Sequence, residues 1–236
     1  MLLAIVPSAW LVGAAEEPAV PIPITPADPS IDYAIAFADN MVFTPQWRVG
    51  NLVRIEVMVL EAYDTNGDGI TTAADVPLNV NLGYTQADLM ADPTLIDTTW
   101  MVSVPEISVA ISGPGFVETF YSDFTDGVSD ADTVGRELNK AGHLIYGLLW
   151  DTTGAPEGTY KVSIDIPDAY DVELAIRSLV AEDGTVLGYE ELPADTGVSG
   201  TGGVDQLANA GYIYLGKLIA KGGSGGGSSG NGHGRR

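Results

Sequence analysis

The residues best placed to do chemistry form one short run, Asp64-Thr65-Asn66-Gly67-Asp68-Gly69, with Asp75 at the twelfth position counted from Asp64. This matches the cation-loop pattern D-x-[DN]-x-[DN]-G closed by a carboxylate at position twelve. Alternate side chains at positions one, three and five converge on a single hard cation, and glycine at six allows the chain to wrap it. Asp64, Asn66 and Asp68 are therefore expected to offer side-chain oxygens. Ile70 would add its backbone carbonyl, Thr72 would coordinate directly or through water, and Asp75 would close the site. An all-oxygen donor set with three carboxylates suits calcium. The plain alternative is an acidic Gly/Asn turn joining two strands, and calcium is favoured because all six opening positions agree with the pattern.

Other chemistry finds little support. The chain has no cysteine, which removes disulfides, thiolate metal sites and cysteine nucleophiles. Its two histidines are His143 and His233, and the second lies in a Gly/Ser-rich tail, so a Ser-His-Asp apparatus would depend on His143 alone. No pair of carboxylates is singled out by spacing, and no glycine-rich loop carries a lysine for phosphate. Trp10, Trp47, Trp100 and Trp150 could form a sugar platform, but tryptophans spread this evenly are expected in a core. Asp123, Asp126, Asp130 and Asp132 make a second acidic cluster, read as a solvated loop. The chain is expected not to be an enzyme.

The loop at Asp64–Asp75 resembles the calcium loops of dockerin modules and of EF-hand-like repeats in secreted proteins. It departs from them in having one loop instead of two, Ile70 at position seven with Thr71 at eight, and Pro77 with the strand-like Leu78–Leu82 where a helix would follow. The resemblance therefore implies the calcium ligands but not the dockerin fold or its cohesin partner. A second stretch, Trp150-Asp151-Thr152-Thr153-Gly154-Ala155-Pro156-Glu157-Gly158-Thr159-Tyr160-Lys161-Val162, resembles the late hairpin of immunoglobulin-like domains. That resemblance implies architecture only.

The elements that must carry the loop read as strands. Val53, Ile55, Val57 and Val59 alternate with Arg54 and Glu56, the period of two of a half-buried strand. The alternation decays at Met58 and Leu60, as burial on both faces would require. Tyr160, Val162, Ile164 and Ile166 alternate with Lys161, Ser163 and Asp165, and Val172, Leu174 and Ile176 alternate with Glu173 and Arg177. Glu182-Asp183-Gly184-Thr185 reads as a hairpin turn. Further strands are expected at Met101–Val104, Ile107–Ile111, Val117–Tyr121, Leu144–Trp150 and Tyr212–Ile219, with helix confined to short pieces such as Thr85–Met90 or Thr133–Ala141. The fold class expected is all-β, an antiparallel immunoglobulin-like sandwich with a calcium-binding loop insertion.

Around this body, residues 31–221, the chain divides simply. Residues 1–17 are apolar and read as a signal-like segment or a donor strand, although no Lys or Arg precedes Arg48. Residues 18–30 form a Pro-rich linker and residues 222–236 a Gly/Ser-rich tail. The whole carries 32 acidic against 10 basic residues, a net charge of −22 with a pI of about 4.1. From Ile55 through Gly135 there are fourteen acidic residues and no Lys or Arg. Such a surface repels phosphate backbones, so no nucleic-acid partner is expected, and no segment is long enough to span a membrane. The function expected is a structural subunit of an extracellular or cell-surface assembly: a filament, sheath or surface layer. It would be stabilised by calcium and joined as a homo-polymer by insertion of the N-terminal strand into a neighbour, with a surface glycan as a further candidate partner. The alternative is a secreted carbohydrate- or protein-binding module.

Overall fold

The computed structural model describes residues 31–38, 41–42, 44–76, 104–124, 134–138, 144–180 and 186–220. The N-terminal segment, the Pro-rich linker, the C-terminal tail, Leu78–Leu82, Thr85–Met90, residues 101–103, the turn at Glu182–Thr185, His143 and most of the second acidic cluster lie outside them.

Thirteen strands form among the described residues: β1 (Asp32–Phe37), β2 (Gln46–Arg48), β3 (Leu52–Ala62), β4 (Glu106–Gly113), β5 (Phe116–Asp123), β6 (Gly135–Leu138), β7 (Leu144–Asp151), β8 (Lys161–Asp165), β9 (Asp171–Val180), β10 (Val186–Glu191), β11 (Gly202–Asp205), β12 (Ala210–Tyr214) and β13 (Lys217–Ile219). They make a six-stranded sheet ordered β10-β9-β1-β3-β7-β6, a five-stranded sheet ordered β11-β12-β8-β4-β5, and a small pair of β2 with β13. The molecule is all-β, as expected, and its two large sheets share one core, an arrangement compatible with a β-sandwich.

That core follows from the alternation. Val53, Ile55, Val57 and Val59 of β3 face inward with Ile35 of β1 and Trp150 of β7, against Val109 and Ile111 of β4 and Val162 and Ile164 of β8. The sheets approach closely where β12 passes β1. A Cβ on Gly211 would stand 2.6 Å from the Cβ of Ile35, so only glycine fits there. The outer face of the six-stranded sheet is apolar too: Ala34, Ala36, Met58, Leu60 and Ile176 are buried there beside Val76. This is why the period of two fails after Val57 and along β9, where Leu174, Ala175 and Ile176 are all buried.

Four expectations need correction. The sheets are not wholly antiparallel, since β1 runs parallel to β9 and β2 parallel to β13. The run at Tyr212–Ile219 is two strands, because the chain turns at Leu215-Gly216 to reach β2. Within Thr133–Ala141 the segment Gly135–Leu138 is strand, held by its ladder to β7, which overrides the local helical pattern. The stretch from Trp150 to Val162 is a crossover and not a paired hairpin, since β7 and β8 belong to different sheets.

Candidate metal centre

The loop expected to bind a cation leaves the end of β3 and returns through a single 3₁₀ turn, Ala73–Asp75, to Val76 on the outer apolar face. Its first half is wound around Asp64. One carboxylate oxygen accepts hydrogen bonds from the backbone N–H groups of Gly67 (2.7 Å) and Asp68 (3.2 Å), and the other from Gly69 (2.7 Å). Asn66 Oδ1 accepts from Asp68 N–H and Asp68 Oδ1 from Ile70 N–H, both at 2.9 Å. Gly67 and Gly69 adopt φ of 74° and 80°, the left-handed region that glycine enters without steric cost, which lets the chain turn this tightly.

The second half is anchored by Asp75, which is buried to 3% exposure. Its Oδ1 accepts from the hydroxyl and backbone N–H of Thr65, and its Oδ2 from the hydroxyl (2.7 Å) and N–H (2.9 Å) of Thr72. These donors favour the ionised form. The hydroxyl of Thr65 and then the groups of Thr72 hold the Asp75 carboxyl down to about 2. Thr71 ties the loop to the sheet by donating to Asp32 Oδ2 at 3.2 Å.

The structure thus brings Asp64, Asn66 and Asp68 into one turn and places Thr72 against Asp75, with Ile70 exposed between the two groups. It does not gather them at a point: among the described residues no three His, Asp or Glu side chains cluster as a metal-holding group. The donor chemistry nevertheless fits a hard cation, because every candidate ligand is an oxygen and Asp64 Oδ2, Asn66 Oδ1 and Asp68 Oδ1 each accept one hydrogen bond and keep a second lone pair, whereas each oxygen of Asp75 already accepts two, so Asp75 would exchange a threonine hydrogen bond to join them. Two acids at the loop went unnoticed in the sequence. Asp32 opens β1, and Glu61 is buried at the end of β3, where it accepts from the hydroxyl of Tyr63. Glu61 could have been suspected as a charge closing an otherwise apolar run.

The linkage of Asp75 to pH has a definite sign. A carboxyl whose pKa is lower in the folded state stabilises the fold above its ordinary value near 3.8, and that contribution is lost as pH falls through about 2. The difference in urea midpoint between the native chain and Asp75→Asn should therefore shrink from pH 5 to pH 2. A difference that stays constant would show that Asp75 is not held ionised by its threonines.

Elsewhere, Trp150 is in the core, Trp47 packs half-buried against it, and the exposed face of Tyr212 is covered by the Lys161 ammonium at 3.8 Å from the ring centre. No helix among the described residues is long and apolar enough to cross a membrane. Set beside known proteins, the chain matches no family model, no curated protein and no solved structure.

Proposed function

We propose that the chain is a structural subunit of a calcium-stabilised extracellular or cell-surface assembly, a filament, sheath or surface layer, joined as a homo-polymer by its apolar N-terminal segment. The observation that carries this reading is the loop at Asp64–Asp75. Its three carboxylates have no Lys or Arg among them in sequence, and backbone N–H groups and two threonines hold them at one end of the sandwich. Calcium would be held by Asp64, Asn66 and Asp68 with the Ile70 carbonyl, Thr72 and Asp75, and would neutralise charges that otherwise repel. Rigidifying a loop fastened to β1 through Asp32 would fix the direction in which the N-terminal segment leaves the domain.

The sandwich is read as immunoglobulin-like. Tyr160 enters β8 with its hydroxyl donating to the carbonyl of Pro156 four residues upstream at 2.7 Å, similar to the tyrosine corner of such domains. Beside it lies buried Trp150, with ring centres 4.9 Å apart.

Light scattering on the full chain tests the assembly. Particles that grow on adding calcium and shrink with chelator are expected. A monodisperse species near the 24.7 kDa chain mass throughout would contradict it and leave the secreted binding module as the better account.

A further inference from the structure

The two sheets close against each other unevenly along the side formed by β5 and β7. Toward one end, Ser122 donates to the carbonyl of Val134 at 2.6 Å, Phe124 stacks near Tyr146, and Arg136 of β6 lies 4.6 Å above the Phe124 ring. At that end β6 covers β7 from Leu144 to Gly147. Toward the other end no described strand continues that cover. Among the described residues, Leu148–Asp151 of β7 pair only with β3, and the whole of β5 pairs only with β4. Among the described residues, two strand edges thus flank one seam with no strand laid along it.

The seam is unfinished in its chemistry as well. Phe116 and Phe120 point toward the core but are only partly buried, and beneath Phe116 lies Trp150, 1% exposed, whose indole N–H finds no acceptor among the described residues. A buried donor without a partner is uncommon in a complete interior. Nearby apolar side chains stand in water: Val117 is 75% exposed and Leu149 54%. An edge of eight residues, some 26 Å long at about 3.3 Å per residue, with an apolar floor is a template for one more strand.

We infer that this seam accepts the apolar N-terminal segment, residues 2–15, of a second copy of the chain, paired along β5 over Phe116, Phe120 and Trp150. The inference rests on reading the chain as an assembling subunit, and it names the acceptor and the polarity of the joint. Three observations select this occupant. Residues 2–15 carry no charge, so they meet no repulsion from a chain of net charge −22. Thirty residues precede Ile31, and twelve of them, Pro18–Pro29, include five prolines, which as an extended connector would span about 37 Å at ~3.1 Å per residue. The third is direction. β1 begins at Asp32 beside Ala62, at the loop end of the sheet, whereas the open half of the seam lies where Asp151 stands beside Leu52, at the opposite end of β3. A donor that leaves one end and an acceptor at the other make a head-to-tail contact, which propagates as an open fibre instead of closing as a dimer.

The absence of cysteine makes the test clean. Full chains carrying Thr119→Cys on β5 are mixed in calcium with full chains carrying one cysteine at each position from Ile5 to Leu11 in turn, then oxidised gently. Disulfides between Thr119→Cys and the N-terminal cysteines are expected to form between chains and to peak at alternate positions, as a strand in fixed register requires. If light scattering shows large particles but no such cross-link forms, the seam is not the acceptor, while the assembly reading stands. If no particles form in any condition, the reading itself fails and the inference with it. A chain carrying both cysteines that cross-links only to itself at monomer mass would place its own segment in the seam and overturn the joint between copies. Recovery of a secreted chain that starts near Glu16 would remove the donor and overturn it too.

Discussion

Trp150→Ala is expected to cost about 3–5 kcal/mol, the range for removing a large aromatic side chain from a packed interior. The indole sits between the two sheets, with ring centres 4.9 Å from Tyr160 and 5.9 Å from Phe116, and it is all but inaccessible. Against a total stability of roughly 5–15 kcal/mol for a domain, this is a fifth or more, and it should appear as a lower urea midpoint at an unchanged slope. Trp150→Phe should cost far less, since it keeps an aromatic ring while removing an indole N–H that has no acceptor among the described residues. Equal losses in the two variants would mean that the indole N–H has a partner after all, and no loss in either would displace Trp150 from the core.

The second large effect concerns the loop. In calcium at about a hundredfold above its dissociation constant, a site present only in the folded state adds ~2.7 kcal/mol. For a domain of this size that corresponds to a rise in melting temperature of roughly 5–10 °C. Asp64→Ala with Asp68→Ala should abolish that rise. The quantity to compare is the melting temperature in calcium minus that in chelator, because the hydrogen bonds that Asp64 makes to Gly67, Asp68 and Gly69 are lost in both conditions and cancel. A rise of the same size in the variant would move the calcium elsewhere.

How much of this was legible in the sequence depended on whether a residue answers to local or to distant partners. The strands of the core declared themselves wherever one face is wet: in β8 the buried positions Val162 and Ile164 alternate with half-exposed Lys161, Ser163 and Asp165. Where both faces are covered, as along β9, alternation carries no information about direction, and nothing in Val172–Ile176 could announce that β9 runs parallel to β1. The short strand Gly135–Leu138 is not legible locally, because its ladder to β7 is a tertiary contact that the four residues do not encode. The crossover after Trp150 looked like a hairpin for a similar reason: turn residues such as Gly154 fix a bend locally but not the sheet that receives the chain.

The loop shows the same division. The winding around Asp64 uses hydrogen bonds spanning five residues or fewer, so the motif foretold it. The closing position is a different matter. Asp75 takes Thr65 from ten residues away and Thr72 from three, and the loop is moored to Asp32, thirty-nine residues from Thr71. A spacing pattern contains neither the threonine clamp nor the mooring, and both decide how the carboxylates are presented.

Equilibrium dialysis of the full chain against calcium tests the central claim most directly. One tightly held ion per chain, lost in the Asp64→Ala, Asp68→Ala variant, is the expected result. A native chain that retains no more calcium than that variant would contradict the assignment of the loop and with it the calcium-stabilised assembly.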